Sequence, residues 1–474
     1  DELKTNSKYY ESVKQYCILD SKVCQELMER FITLLRSYYP QVKNFLSVAT
    51  ISRQIFGSHL HEKFGMPYAT ISMQNALNCY HAGYIQTFKM GAFEGVYTSD
   101  INSAYPAAMC DMPNPKGEIS TYPEYDPDAD YSYYHVCLDF DDYVSPLWYI
   151  YQNINYHPVG ESFKTWISKP EFEYLMDKTD LKIIEAHHIY SFDKEPLFKD
   201  LIEDLYALRM EAKKDGNDML NLVLKTILNA FYGTTMTLTK QYEIITNDIE
   251  SIFDIIDTVA ERPSLSGNFL YRVKFVAGGL YNPMFGNDIT ARTRVTILKA
   301  LEGREDSIIS INTDGIKSTK KLKNIKYTAK LGDYSLEYNP EKVITLGNAR
   351  EIHFIDDEVD NKSSIMRGIN LPADEIVKTL ESRGNEVYVP LKVNRVVGLH
   401  QSLYHEKDKG QMNAFKSDNK FLSFIPQTRA YEKPYFTYNE LKDQAYDSFP
   451  LKTVQIPDFR ARLNKILKEN QMII

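Results

Sequence analysis

Cysteine is scarce in this sequence. Five occur (Cys17, Cys24, Cys79, Cys110 and Cys137), all in the first third of the chain and with no Cys-x-x-Cys pair. Their odd number argues against a disulfide framework, and a reducing, cytoplasmic compartment is expected. There is no run of about 18 or more apolar residues, so no membrane span is expected. The charged opening "DELKTNSKYYESVKQ" lacks the form of a signal peptide. Positive charge is in deficit, with 55 Lys and Arg against 64 Asp and Glu, a net charge of −9. That balance argues against a protein that coats nucleic acid, although the charges are unevenly spread. Residues 126–143 and 355–360 are acidic, whereas "RMEAKK" (209–214), "IKSTKKLKNIKY" (316–327) and "FRARLNKILK" (459–468) are basic. A basic groove on an acidic body is compatible with this pattern. Repeats and low-complexity tracts are also missing.

What remains is a globular composition, 43% hydrophobic and 25% charged over 474 residues. The length is too great for a single core and implies about two to four domains. Residues 1–85 read as mainly helical, "ESVKQYCILDSKVCQELMERFITLLRSYY" having apolar residues at three- and four-residue spacing. "FEGVYTSDINSAYPAAM" (93–109) reads as a strand, a turn and a helix start. Residues 110–190 mix short strands and loops, expected to form an insertion with its own small core. "DKEPLFKDLIEDLYALRMEAKK" predicts a helix with Pro196 near its first turn and a stop at Asp215-Gly216. Asn217 then caps a second, antiparallel helix ending at Gly233. Residues 236–280 form a smaller insertion, 281–303 a further helix, and "SIISINTDGIKST" (307–319) a hairpin with Asp314-Gly315 at its tip.

Asp100 closes the first strand and Asp314 sits in the hairpin turn. Either alone serves as well for capping or turning. Together, two carboxylates at strand ends suit Mg²⁺, which takes one or two protein carboxylates and completes its shell with phosphates and water. Two such ions roughly 3.5–4 Å apart can clamp the attacking and leaving oxygens of a phosphoryl transfer. On the second helix, Lys225, Asn229 and Tyr232 lie on one face at i, i+4 and i+7. That face is either a solvated one with a packed tyrosine, or one that meets a triphosphate and a base. Arg209 at the hairpin's other end adds charge, as an ordinary C-terminal helix cation also would.

"DINSAYPAAM" (100–109), "LKTILNAFYG" (224–233) and "INTDGI" (311–316) resemble, in order and spacing, motifs A, B and C of family B DNA polymerases. "YHAGY" (80–84) and "YNPMFGNDITARTR" (281–294) resemble elements of the protein-primed branch of that family. The resemblance implies an α+β right-hand fold of palm, fingers and thumb with an antiparallel palm sheet. It implies a remnant of an exonuclease domain and linker at 1–85, palm at 86–109 and 281–375, and insertions at 110–192 and 236–280. Fingers fall at 193–235, and a thumb and C-terminal region at 376–474. The implied activity is template-directed DNA synthesis from dNTPs on a primer–template, with protein priming and strand displacement among the branch's properties. The cofactor implied is a pair of Mg²⁺ ions, replaceable by Mn²⁺, held by Asp100, Asp314 and the carbonyl of Ile101. Tyr105 would exclude ribonucleotides, Lys225 and Arg209 would meet the triphosphate, and Asn229 and Tyr232 the nascent base pair. Asn102, Ser103 and Ala104 would line the nucleotide, Asn102 and Ser103 offering backbone N–H groups to its phosphates. Tyr80, Gly83, Gly233, Asn312, Thr313 and Arg367 would contact DNA.

Three features depart from the family pattern. Asn312 stands where motif C usually has its first aspartate, so an inactive, polymerase-derived DNA-binding subunit is the alternative reading. No Lys-x-Tyr aligns within 330–354, leaving Arg350 or Arg367 to replace it. "YCILD" (16–20) resembles the third exonuclease motif through Tyr16 and Asp20, without an Asp-x-Glu before it. No proofreading by this chain alone is therefore expected. A terminal protein primer, and a separate exonuclease-bearing chain docking on residues 1–60, are the protein partners this implies.

Overall fold

A computed structural model of the chain describes residues 7–64, 71–246, 264–266, 269–397 and 414–469. Part of the expected second insertion (247–263, 267–268) lies outside the described residues. So do parts of the C-terminal region (398–413, 470–474) and the first six residues of the expected docking segment. The chain divides into two compact units, one of Asp1–Thr70, Met109–Asn114 and Glu195–Gly286, the other of the remainder. Among the described residues, no helix is long and apolar enough to cross a membrane.

The first unit is mainly helical, as the three- and four-residue apolar spacing requires, with a three-stranded antiparallel sheet of Ser264–Ser266, Phe269–Ala277 and Leu238–Thr246 beside the helices. It contains α1 (Ser7–Tyr38), α2 (Val48–Phe64) and an antiparallel pair, α3 (Lys199–Lys214) and α4 (Asp218–Thr235). In α4 the buried residues Leu220, Leu224, Ile227, Leu228 and Phe231 form one stripe. Phe231 stacks on Phe56 of α2 with ring centroids 4.3 Å apart, and the Ser52 hydroxyl donates to the Ile227 carbonyl at 2.7 Å. The Asn217 side chain caps α4 by accepting from the Leu220 N–H at 3.1 Å. Gly216, at φ +69°, makes the left-handed step that separates the two helices. Two boundaries differ from expectation. Pro196 precedes α3, whose N-cap is Phe198. Helix α4 also continues past Gly233 to Thr235, because Gly233 does not take the left-handed backbone of a terminating glycine.

The second unit is built on an antiparallel sheet. Its central path runs β1 (Ile85–Thr87), β3 (Ile308–Asn312), β4 (Gly315–Ser318), β2 (Lys89–Ile101), β5 (Tyr334–Gly347) and β6 (Arg350–Ile355). Paired residues of neighbouring antiparallel strands point to the same face. The register therefore creates a row Ile85, Asn312, Gly315, Asp100, Ser335 across five strands. The next row on that face is Thr87, Ser310, Lys317, Thr98, Glu337. The opposite face carries Ser99, Ile316 and Ser318, all fully buried.

A four-stranded antiparallel sheet (Gly117–Ser120, Leu181–Ser191, Tyr131–Phe140, Gly160–Ser168) occupies most of 110–190. The expected separate core is not found there. Tyr134, Val136, Leu138, Phe163 and Ile167 share one cluster with Val295 and Leu298 of α5 (Pro283–Leu301) and with Ile308, Ile311 and Ile316 of the central sheet. A second cluster joins Met90, Ile344, Leu346 and Ile352 to the helix Ala373–Ser382 and to the ribbon of Tyr388–Val396 and Phe415–Ser423.

Candidate active site

The hairpin of β3 and β4 turns on Thr313 and Asp314, since Gly315 already pairs with Asn312. The positive φ falls on Thr313, at +62°, and not on the glycine that the Asp-Gly signal would have used. A left-handed non-glycine residue costs on the order of 1–3 kcal/mol. The Thr313 N–H offsets this by donating to the Tyr84 carbonyl at 2.7 Å. What Gly315 supplies is space, because a Cβ there would lie 3.2 Å from Asp100 Oδ1.

Asp100 is exposed at the end of β2, directly opposite Gly315. The next residue, Ile101, donates its N–H to the Asp314 carbonyl at 3.0 Å. The two aspartates, separated by more than 200 residues of chain, are thus neighbours at one sheet end. Tyr105 lies on the short helix Ala104–Met109, and its phenol is pushed up to about 12 by burial first, then by Asp314 and Tyr80, with Arg294 opposing. It is a neutral hydroxyl at physiological pH, close to the Thr313–Asp314 turn. Gly83 abuts the same turn, and a Cβ on it would sit 2.6 Å from Thr313 Cγ2. Gly83, Asn312 and Thr313 are therefore gathered at the turn that carries Asp314, and Tyr80 lies near Tyr105.

Asn102 is a correction. Its N–H donates to the Asp333 carbonyl at 2.9 Å, and its side-chain amide to the carbonyls of Thr328 at 2.7 Å and Lys330 at 3.2 Å. Those donors tether the 328–333 loop and are not presented to a phosphate. Ser103, at φ +53°, starts the short helix, its carbonyl accepting from the Ala107 N–H at 2.9 Å, and Ala104 is buried.

The other expected nucleotide contacts lie in the first unit. Lys225 and Asn229 are exposed and Tyr232 half-buried on the face of α4 away from its apolar stripe. Arg209 Nε donates to Asn221 Oδ1 at 3.1 Å, one turn before Lys225 on that face, and burial lowers the Arg209 pKa. Gly233 is exposed, and a Cβ there would meet nothing within 4 Å. Tyr16 and Asp20 sit one turn apart on α1, both exposed. Arg367 lines a cavity of about 440 Å³ in the second unit with Ile85, Thr87, Asn348, Arg350 and Arg429. Sequence reasoning did not single out Arg294 and Glu171. They form a buried ion pair bridging 123 positions, for which neither residue carries a local signal.

The donor set at the Asp100–Asp314 pair consists of oxygens, which suits Mg²⁺ or Mn²⁺. Among the described residues no group of three or more His, Cys, Asp or Glu is arranged to hold a metal. A divalent ion there would depend on substrate phosphates and water, which Mg²⁺ accepts readily. The residues present fit such an ion.

Residues 1–266 match the family described as DNA polymerase type B, organellar and viral. The chain is 26% identical over 391 residues to the DNA polymerase of Acidianus bottle-shaped virus (isolate Italy/Pozzuoli), covering 76% of this chain and 51% of that protein. It is 22% identical over 396 residues to a probable DNA polymerase of Ascobolus immersus, covering 77% and 32% respectively. The chain spans about half the length, or less, of these curated relatives. Among solved structures, Phi29 DNA polymerase complexed with primer-template DNA and incoming nucleotide substrates matches with a TM-score of 0.57 and 17% identity. That match covers 82% of this chain and 70% of the other. The same enzyme complexed with single-stranded DNA matches at 0.53 and 19%, over 76% and 66%. The likeness is one of fold, an α+β right hand with an antiparallel palm sheet. With over half of its residues matched, the chain belongs to the organellar and viral type B DNA polymerases.

Proposed function

We propose that this chain extends a primer 3′-hydroxyl on a DNA template, using dNTPs and a pair of divalent ions held by Asp100, Asp314 and the Ile101 carbonyl. The observation that carries the reading is the sheet register: Asp100 stands opposite Gly315, and the Ile101 N–H bonds the Asp314 carbonyl at 3.0 Å. This brings two distant carboxylate residues to one exposed sheet end. Bound there, Mg²⁺ supplies Lewis acidity to the attacking hydroxyl and the triphosphate.

The protein's own groups have distinct tasks. Tyr105, held neutral, lies under the incoming sugar, where its ring excludes a 2′-hydroxyl. Lys225 and Arg209 balance triphosphate charge, while Asn229 and Tyr232 line the nascent pair. Tyr80, Gly83, Asn312, Thr313 and Gly233 border the DNA, and Arg350 and Arg367 take the place of the missing Lys-x-Tyr. Asn102 is a loop tether. In domain terms, 86–109 and 281–375 serve as palm, 193–235 as fingers and 376–474 as thumb and C-terminal region. A terminal protein primer is a further partner of this reading.

The test is extension of an end-labelled primer on a single-stranded template with Mg²⁺ and dNTPs, by the chain and by Asp314→Asn. Extension that vanishes in a folded variant supports the assignment. Equal extension by both proteins removes Asp314 from the chemistry, and no extension by either, with Mn²⁺ also tried and DNA still bound, overturns the activity.

A further inference from the structure

Arg294, on α5, is 1% exposed and among the largest fully buried side chains in the described residues. Its guanidinium is satisfied from two directions. Nε and Nη2 donate to Glu171 Oε1 at 3.1 and 2.6 Å. Nη1 donates to the main-chain carbonyls of His81 and, at 3.1 Å, Ala82. The second oxygen of Glu171 accepts from the Ser168 N–H at 3.2 Å and the Ser168 hydroxyl at 3.0 Å. Glu171 therefore belongs at once to the start of the helix Lys169–Met176 and to Arg294. Trp148 closes the arrangement, its ring lying 4.9 Å from His81 in parallel stacking and 5.7 Å from the guanidinium.

The 81–84 loop has a second side. Gly83 meets Thr313 so closely that no side chain fits between them, and the Tyr84 carbonyl accepts from the Thr313 N–H at 2.7 Å. Thr313 holds a left-handed backbone, which persists only where its surroundings over-determine it. The residues that do so are Gly83 and Tyr84, whose own position depends on two carbonyls gripped by Arg294.

We propose that Arg294, charge-balanced by Glu171, is a positioning residue of the nucleotidyl-transfer centre: it fixes the 81–84 loop and, through it, the Thr313–Asp314 turn. This rests on the polymerase reading above. Arg294 touches no reacting atom in this role. Its fork of donors is what the task requires, since lysine's single ammonium cannot serve Glu171 and two carbonyls in fixed planar geometry. The chain of contacts runs from the helix Lys169–Met176 to the catalytic turn without a gap. The raised pKa of Tyr105, to which Asp314 and Arg294 contribute with opposite sign, agrees with a guanidinium close to the site.

The test compares the full chain with Glu171→Gln, Arg294→Lys and Gly83→Ala. Gly83→Ala disturbs the same turn from the loop side and leaves the ion pair intact, so it remains informative if the charge variants fail to fold. Three readouts are needed: primer–template affinity, the single-turnover rate at saturating dNTP, and amide hydrogen exchange in peptides covering 308–316 and 89–96. The expected result in every folded variant is a single-turnover rate lower by about tenfold or more, with DNA affinity within about twofold of the parent in Glu171→Gln and Arg294→Lys. Faster exchange is expected at 308–316, with 89–96 unchanged. A parent-like rate and parent-like exchange at 308–316 in folded variants would overturn the proposal while leaving the polymerase reading intact. A rate loss that tracks a uniform rise in exchange across both peptides would also overturn it, as a general loss of stability. A parent chain that does not extend primers would instead count against the activity, while exchange at 308–316 would still decide whether the clamp holds the turn.

Discussion

At the scale of single residues, the candidate site depends on what is missing from a side chain as much as on what is present. Gly315 stands opposite Asp100 on the neighbouring strand, and a methyl group there would press on Oδ1 from 3.2 Å. Gly315→Ala should leave the fold intact, because the position is half-exposed and its φ is not in the left-handed region. The carboxylate must shift by a few tenths of an ångström, and misplacement by about 1 Å can cost on the order of a hundredfold in rate. We expect single-turnover extension about tenfold slower with a melting temperature within about 2 °C of the parent. An undiminished rate would show that Asp100 tolerates displacement. Tyr105 works by presence. Removing its ring in Tyr105→Ala should raise ribonucleotide incorporation relative to deoxyribonucleotide incorporation by about tenfold or more, about 1.4 kcal/mol of lost discrimination. An unchanged ratio of kcat/KM values for the two sugars would take Tyr105 out of that role.

At the scale of elements, the helix pair shows which features a sequence announces. The apolar stripe of α4, its Asn217 cap and the glycine step at 216 are local features, and each was legible. So were the strand ending in Asp100 and the hairpin bearing Asp314, because short-range periodicity and turn chemistry decide both. Three things were not legible. Residue identity does not say that the 110–190 strands share a core with Ile308, Ile311 and Ile316, since that requires knowing what packs on them. Asn102 looked available to a phosphate until the 328–333 loop supplied carbonyls for its donors. Gly233 looked like a helix stop and instead lies within the last turn of α4. That last difference has a consequence. Gly233→Ala places its Cβ in open space, so α4 should gain about 0.5–1 kcal/mol, measurable by denaturant unfolding. If DNA approaches this helix closely, the same variant should bind primer–template several-fold more weakly. A gain in stability with unchanged affinity would remove Gly233 from the DNA contact.

At the scale of the whole molecule, a net charge of −9 must be reconciled with the proposed DNA partner, a polyanion. The sheet register suggests how. Asp100, Gly315, Asn312 and Ile85 form one row on one face, and neighbouring strands lie about 4.7–4.9 Å apart, so Ile85 is roughly 14–15 Å from Asp100 along that row. Ile85 borders the cavity of about 440 Å³ that also contains Arg350, Arg367 and Arg429. The buried Arg429 donates to neutral groups only, Ser448 and the Tyr143 carbonyl, so its charge is not cancelled by a hydrogen-bonded carboxylate. Burial lowers the Arg350 pKa from a very high starting value, and the guanidinium stays protonated at neutral pH. Three arginines thus border a cavity that reaches Ile85, a residue in the same strand-to-strand row as Asp100. Each phosphate neutralised by a cation contributes about −0.9 to the slope of log K against log salt concentration. Arg350→Ala and Arg367→Ala should each weaken primer–template binding and make that slope shallower by about one, whatever the DNA sequence. Lys378→Ala is the control, because Lys378 is exposed and paired with Asp374 on the helix Ala373–Ser382, and its slope should match the parent's. Slopes that stay parallel in both arginine variants would place the DNA backbone elsewhere on the molecule. A slope lost only in the Arg367 variant would assign the phosphate contact to that residue and leave Arg350 to shape the cavity wall.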